Sequence, residues 1–323
     1  MKIRPYAPGD EKVIMVLDAR VLPSLWNPRT LDNWHWKFSD KNPAGRAFIW
    51  LAEHEGQIIA HFAAVPYRLK IFDKETTATH TIGALVEEKY QNRGLLKLLG
   101  EKIWEEQAKK NIHLTWGFPN QKAYRFHKMA LGYEDLINFD VWKINKADIQ
   151  KSGADSPCRA IEEFDADFDR LWEECSSQYD IAVVRNGTYL NWRYLKRPDW
   201  RYFPFGYYVD NQLKGYVVLK IFREDRTKRG HIVDIFSNSQ DRPTLDGLIS
   251  ESLAFFSRQE VDEATVWIWG NPLVEQILEE KAFVKIPADI PLLLRTHKNQ
   301  SHPDRTKDNS HWYFTMGDST EIF

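Results

Sequence analysis

Gln91-Asn92-Arg93-Gly94-Leu95-Leu96 is the stretch on which the fold turns. It follows an apolar run of strand character, Thr81-Ile82-Gly83-Ala84-Leu85-Val86, and opens a helical run ending near Lys109. In that second run Leu95, Leu96, Leu99 and Ile103 share one face, while Lys97, Lys102, Glu105 and Glu106 lie elsewhere. Strand, Gly-bearing loop and helix N-terminus in that order make an anion cradle. The first-turn amides of a helix have no partner within the helix, and its dipole is positive at that end. Backbone amides from Asn92 to Leu96 are placed to hold a diphosphate, with Gly94 admitting close approach because it lacks a Cβ. Arg93 either adds a charged contact or faces solvent.

Working toward the N-terminus, Ala78–Val86 reads as a strand, preceded by strands over 47–53 and 57–71. These two are joined by the compact turn His54-Glu55-Gly56. A polar, Trp-bearing segment covers 23–46. Before it, Asp10 reads as the cap of a helix carrying Val13, Ile14, Val16 and Leu17, and residues 2–6 as a short strand. Working toward the C-terminus, 112–116 is a strand, 120–129 a helix and 133–141 a closing strand. This order predicts an α/β protein with a mixed, mostly antiparallel sheet and helices on both faces, not an uninterrupted βα alternation.

Between 147 and 157 the chain turns polar and loses periodicity, which marks a linker. Beyond it the sequence echoes the first half. Trp192-Arg193-Tyr194 before Arg197-Pro198 matches Trp36-Lys37-Phe38 before Asn42-Pro43. Leu213-Lys214-Gly215 matches Ile58-Ile59-Ala60, and Trp269-Gly270-Asn271 matches Trp116-Gly117 leading to Asn120, all at a slowly drifting offset. The expected division is therefore residues 1–146, a linker over 147–159, and a second copy over 160–323. The second copy lacks the cradle. After His231–Asn238 comes Ser239-Gln240-Asp241-Arg242-Pro243-Thr244, with no glycine and with a carboxylate where an anion would approach. A strand at 311–316 that docks back on a sheet, or a frayed end, closes the chain.

With 323 residues, two domains are expected. A net charge of −2 speaks against a dedicated nucleic-acid binder. Two cysteines, Cys158 and Cys175, form no CxxC or zinc spacing. No apolar run reaches the ~20 residues that span a bilayer, and no signal region opens the sequence. A cytoplasmic protein with no metal and no membrane association is expected, as monomer or homodimer.

These residues resemble a known family. Leu85-Val86 followed by Gln91-x-x-Gly94-x-Leu96 resembles the acetyl-coenzyme A signature of the GNAT acyltransferases, usually [RQ]-x-x-G-x-[GA]. Asn120-x-x-Ala123 with Leu131-Gly132-Tyr133 resembles that family's second signature. The likeness covers roughly 1–145 and extends more faintly over 160–290, so the chain resembles a tandem GNAT protein with a degenerate second copy. The departures are Leu96, where Gly or Ala is usual, and His127, which stands where the family places a tyrosine.

The resemblance implies acetyl-CoA as co-substrate, bound by Leu85, Val86, Gln91, Asn92, Arg93, Gly94, Leu95, Leu96 and Asn120. It implies direct attack of an amine on the thioester, with the two reactants held in line. A backbone amide near Leu85 or Val86 would polarise the carbonyl. A base must take the amine's proton: Glu87 heads the candidates, with Glu88, His61 and His80 behind it. Tyr124, His127 or water would protonate the leaving thiolate. Glu87 and Glu88 read equally as solvated charges, His61 as a satisfied core histidine, and Asn120 as a helix cap. Trp26, Trp34, Trp36 and Phe38 either form core or line an acceptor site. The expected function is N-acetylation of a small-molecule amine such as an amino sugar. The alternatives are aminoacyl transfer of the Fem type and non-catalytic coenzyme A binding.

Overall fold

The structure is a computed structural model, and it describes residues 1–22, 30–112, 114–151, 157–297 and 303–319. The chain divides into two compact units. The first comprises residues 1–69, 75–137 and 291–307, and the second comprises 70–74, 138–290 and 308–323.

The elements follow in order as β1 (Lys2–Pro5), α1 (Glu11–Val21), α2 (Leu31–Phe38), β2 (Phe48–His54), β3 (Gln57–Ile71), β4 (Lys74–Val86), α3 (Leu95–Lys109), β5 (Leu114–Gly117), α4 (Gln121–Leu131) and β6 (Glu134–Asn145). After a short α5 (Lys146–Ile149) come β7 (Cys158–Ala160), α6 (Ala166–Cys175), β8 (Ile181–Val183) and α7 (Gly187–Leu190). Then follow β9 (Tyr202–Val209), β10 (Gln212–Glu224), β11 (Thr227–Ser237), α8 (Arg242–Arg258), β12 (Glu263–Val266), β13 (Ile268–Trp269), α9 (Pro272–Glu280), β14 (Val284–Thr296), α10 (Pro303–Lys307) and β15 (Trp312–Thr315).

In the first unit β1, β2 and β3 pair antiparallel, and β3 neighbours β4. β4 runs parallel to β5 through Thr79↔Thr115 and His80↔Trp116. The strand on the far side of β5 comes from late in the sequence, since Leu293–Thr296 of β14 pair antiparallel with Leu114–Gly117. The β2–β3 turn forms because Glu55 and Gly56 both adopt positive φ, 51° and 75°, the geometry that suits a two-residue hairpin. The core is built from Phe48, Ile59, Phe62, Val86, Leu95, Leu99, Ile103, Leu131 and Leu293. Burying each large side chain there contributes about 1.5–3 kcal/mol before conformational entropy is counted.

The second unit has its own run of paired strands. β9, β10 and β11 pair antiparallel, β11 runs parallel to β12, and Trp142–Asn145 of β6 pair antiparallel with β12. The closing strand of each unit is thus supplied by the other half of the sequence. This differs from the linear division at 147–159, because strand pairing, and not the polar segment, decides which residues are packed together. The tail is a strand: β15 lies between β8 and β13. Beneath it Arg185 donates to Asp234 (3.2 Å) and Asp318 (2.8 Å), with Tyr194 and Tyr216 also donating to Asp234. All five residues are buried.

Two local expectations change. Asp10 precedes α1 but does not cap it with its side chain; the carboxylate accepts from Arg4 and from the Ala7 amide. The Trp-bearing segment contains α2, whose N-cap Thr30 accepts from the Asn33 amide. Trp26 lies outside the described residues.

Candidate active site

The loop after β4 makes one turn of tight helix at Glu88–Tyr90 and then passes through two positive-φ residues, Asn92 (60°) and Gly94 (73°). Gly94 caps α3 without a side chain, and a Cβ built on it would meet nothing within 4 Å. The first hydrogen bond of the helix is Leu98 N–H to Gly94 C=O. The amides of Leu95, Leu96 and Lys97 therefore lie outside the helical ladder, at the positive end of the dipole. Gln91 to Gly94 are exposed, while Leu95 is buried and anchors the turn in the core. An open space above three amides suits a diphosphate.

Around this loop, Gln91 Nε2 donates to the Val86 carbonyl (3.2 Å), which ties the loop to the end of β4. Arg93 folds back, donating to the Lys89 carbonyl (3.1 Å) with its guanidinium over the Tyr90 ring. Leu85 and Val86 are buried at the strand end. Glu87 follows them. Its amide donates to Ile59 C=O, its Oε1 accepts from Arg20 (3.2 Å), and its Oε2 is buried with no hydrogen-bond partner among the described residues. A buried carboxylate oxygen without a donor is costly, and invites a donor from a ligand.

Asn120 is the N-cap of α4, its Oδ1 accepting from the Ala123 amide (2.9 Å). The Tyr124 hydroxyl donates a hydrogen bond to Asp135, beside Lys128, and this bond raises its pKa. His127 is buried against Phe62 and Tyr133 with Nδ1 bonded to the Ala123 carbonyl. Burial lowers its pKa and keeps the ring neutral. Tyr124 and His127 thus do not converge: one is held at the surface in an ion-pair cluster, the other in the core.

Of the remaining candidates, Glu88 lies in the turn after Glu87, and His80 is buried, stacked on Trp116 at 5.8 Å. His61 is buried in β3, with Nδ1 2.7 Å from the Gly83 carbonyl. Burial takes its pKa down to about 4. Trp34, Trp36 and Phe38 are buried, Phe38 standing edge-on to His61. Sequence reasoning missed the conformation of Gly83, which takes a φ of 66° within β4. The signal was present, because a glycine interrupting an apolar strand marks a bulge or a close approach.

Residues 2–134 match the profile of the acetyltransferase (GNAT) domain. That stretch of the chain is a GNAT acetyltransferase domain. No curated protein matches it in sequence. Among solved structures, a probable N-acyltransferase from Enterococcus faecalis superposes with a TM-score of 0.71 at 13% identity, covering 93% of this chain and 74% of that one. A GCN5-related N-acetyltransferase from Anabaena variabilis gives 0.66 at 16%, over 91% and 72%. Saccharomyces cerevisiae N-myristoyltransferase with bound myristoyl-CoA gives 0.62 at 11%, over 91% and 81%. At these identities the neighbours speak for the fold. Among the described residues no group of His, Cys, Asp and Glu is arranged to hold a metal, and no helix is long and apolar enough to cross a membrane.

Proposed function

We propose that the first unit transfers an acetyl group from acetyl-CoA to the primary amine of a small molecule, an amino sugar being one acceptor class. The observation that carries this reading is the open N-terminus of α3 behind Gly94. The diphosphate of coenzyme A lies on the Leu95–Lys97 amides, and the pantetheine arm runs along Leu85–Val86. Asn120 adds a contact through its amide nitrogen, since its oxygen serves the cap. That one structural neighbour holds an acyl-CoA supports a coenzyme A thioester as the co-substrate.

Glu87 takes the proton from the arriving ammonium, through Oε2 or a water on it. The amine nitrogen bonds to the thioester carbon, the carbon–sulfur bond breaks, and the thiolate is protonated from water. Tyr124 is left out of that step because its hydroxyl is already engaged as a donor to Asp135. The second unit is, in this reading, a degenerate copy without coenzyme A.

A thermal-shift titration with acetyl-CoA tests the binding, since a ligand of the folded state raises Tm with concentration. A rise that is lost in Gly94→Glu is expected. No rise at millimolar ligand overturns the reading. Thiol release on a panel of amines then separates transfer from binding alone.

A further inference from the structure

His61 and Gly83 form a matched pair that the mechanism above does not use. Gly83 sits inside β4 with φ 66°, a conformation in which its carbonyl leaves the regular ladder. A buried carbonyl must find a donor. Here it finds His61, whose ring is buried and whose Nδ1 lies 2.7 Å away. A carbonyl only accepts, so Nδ1 carries the proton and Nε2 is the bare nitrogen. Nε2 is buried with no hydrogen-bond partner among the described residues. The ring also fills the space of a side chain at 83: a Cβ there would stand 2.9 Å from His61 Cε1. Neither residue can change alone without disturbing the other.

The position of Gly83 gives the pair a consequence. Pairing of β4 with β5 stops at His80↔Trp116, three residues before Gly83. The segment after Gly83, Leu85–Val86, is the one assigned above to the thioester arm. We propose that His61 is a positioning residue for acyl transfer: through its bond to the Gly83 carbonyl it fixes the course of β4, and so the place of the thioester at Leu85–Val86. This rests on the coenzyme A reading of the first unit. Two features suit the role. Neutrality holds across the physiological range, because burial, and then the nearby Lys37 charge, oppose protonation. The ring is also braced edge-on by Phe38.

The test compares two amides at one site. His61→Asn puts its Nδ2 near the position of Nδ1 and keeps the bond to Gly83. His61→Gln carries its donor one methylene further and loses it. Acetyl-CoA binding is read by thermal shift, and kcat and KM by thiol release with an amine the wild type accepts. The expected result is that both variants bind acetyl-CoA within about threefold of wild type, because the diphosphate loop is untouched. His61→Asn is expected to hold kcat within about threefold, while His61→Gln loses roughly tenfold or more, the cost of a misplaced reactant. Gly83→Ala, probed independently, is expected to follow His61→Gln. Equal kcat in the two amide variants, whether both high or both low, overturns the proposal. So does a loss that appears in coenzyme affinity alone. Wild-type protein that shows no acetyl-CoA shift overturns the functional reading itself, and this proposal with it.

Discussion

The two units begin their long helices in opposite ways. α3 starts at Gly94, with no side-chain cap and three amides outside the ladder. α8 starts at Asp241, and every first-turn donor there is spent or missing. Arg242 N–H goes to the Gln240 carbonyl (3.1 Å), Pro243 has no N–H, and Thr244 N–H goes to Asp241 Oδ1 (3.2 Å). The Asp241 carboxylate also accepts from the Thr244 hydroxyl. One helix start leaves its amides open to the anion proposed above, and the other is a finished structural joint. A good cap and an anion site compete for the same amides, so a unit that gives up the ligand is free to gain the cap.

The strongest way to break this contrast is to write the α8 start onto α3. Gly94→Asp with Leu96→Pro and Lys97→Thr should abolish the acetyl-CoA shift, with affinity falling on the order of a hundredfold or more, as several charge-assisted bonds are lost. A melting curve without ligand should still show a folded protein. Persisting stabilisation by acetyl-CoA would move the site elsewhere.

The residue after each strand sharpens the contrast next. Glu87 follows β4, whereas Asn238 follows β11. Glu87→Gln should lower kcat on the order of a hundredfold and leave acetyl-CoA binding unchanged. An unaltered rate would remove Glu87 from the chemistry.

Acid should act on both units alike. Each holds a buried neutral imidazole, His61 with its pKa at about 4 and His231 at about 3, both chiefly through burial. In the unfolded chain these groups take protons near pH 6.5, so the unfolded state binds more protons below that value. Their stabilisation is whole above about pH 6.5 and is lost as pH falls toward 4 for His61 and 3 for His231. The loss is about 3 kcal/mol or more for each. Urea midpoints measured from pH 7 to 4 should fall, and His61→Asn or His231→Asn should flatten the fall.

The smallest effect is expected from Asp241→Ala. It should cost about 1 kcal/mol of stability, the usual worth of a cap, and confer no acetyl-CoA binding, because Pro243 still supplies no donor. A gain of coenzyme affinity in that variant would show that the Asp241 cap alone keeps coenzyme off α8.

Much of this was legible in the sequence. The loop at Gly94, the amphipathic α3 and the β2–β3 hairpin announce themselves through periodicity and turn residues, which are local signals. The Asp241-Arg242-Pro243-Thr244 start was readable for the same reason. What stayed hidden is non-local. Nothing near Leu114–Gly117 says that its neighbour is Leu293–Thr296, and nothing near Trp142 says that it pairs with Val266. Counting along a signature put His127 beside the chemistry, but counting cannot tell which face of α4 is buried, and His127 is on the buried one. His61 was readable as a core histidine. Its role for the Gly83 carbonyl needed the backbone twist that only the fold supplies.

The late arrival of Leu293–Thr296 has a meaning in time. During synthesis, the ribosome releases the Gly94 loop and β5 well before Leu293–Thr296, the segment that pairs with β5. Until then β5 offers an open edge, the kind of surface on which chains aggregate. Coenzyme binding should therefore be a property of the finished chain. A fragment ending near residue 146, which looks like a whole catalytic domain on paper, would be a half-closed intermediate.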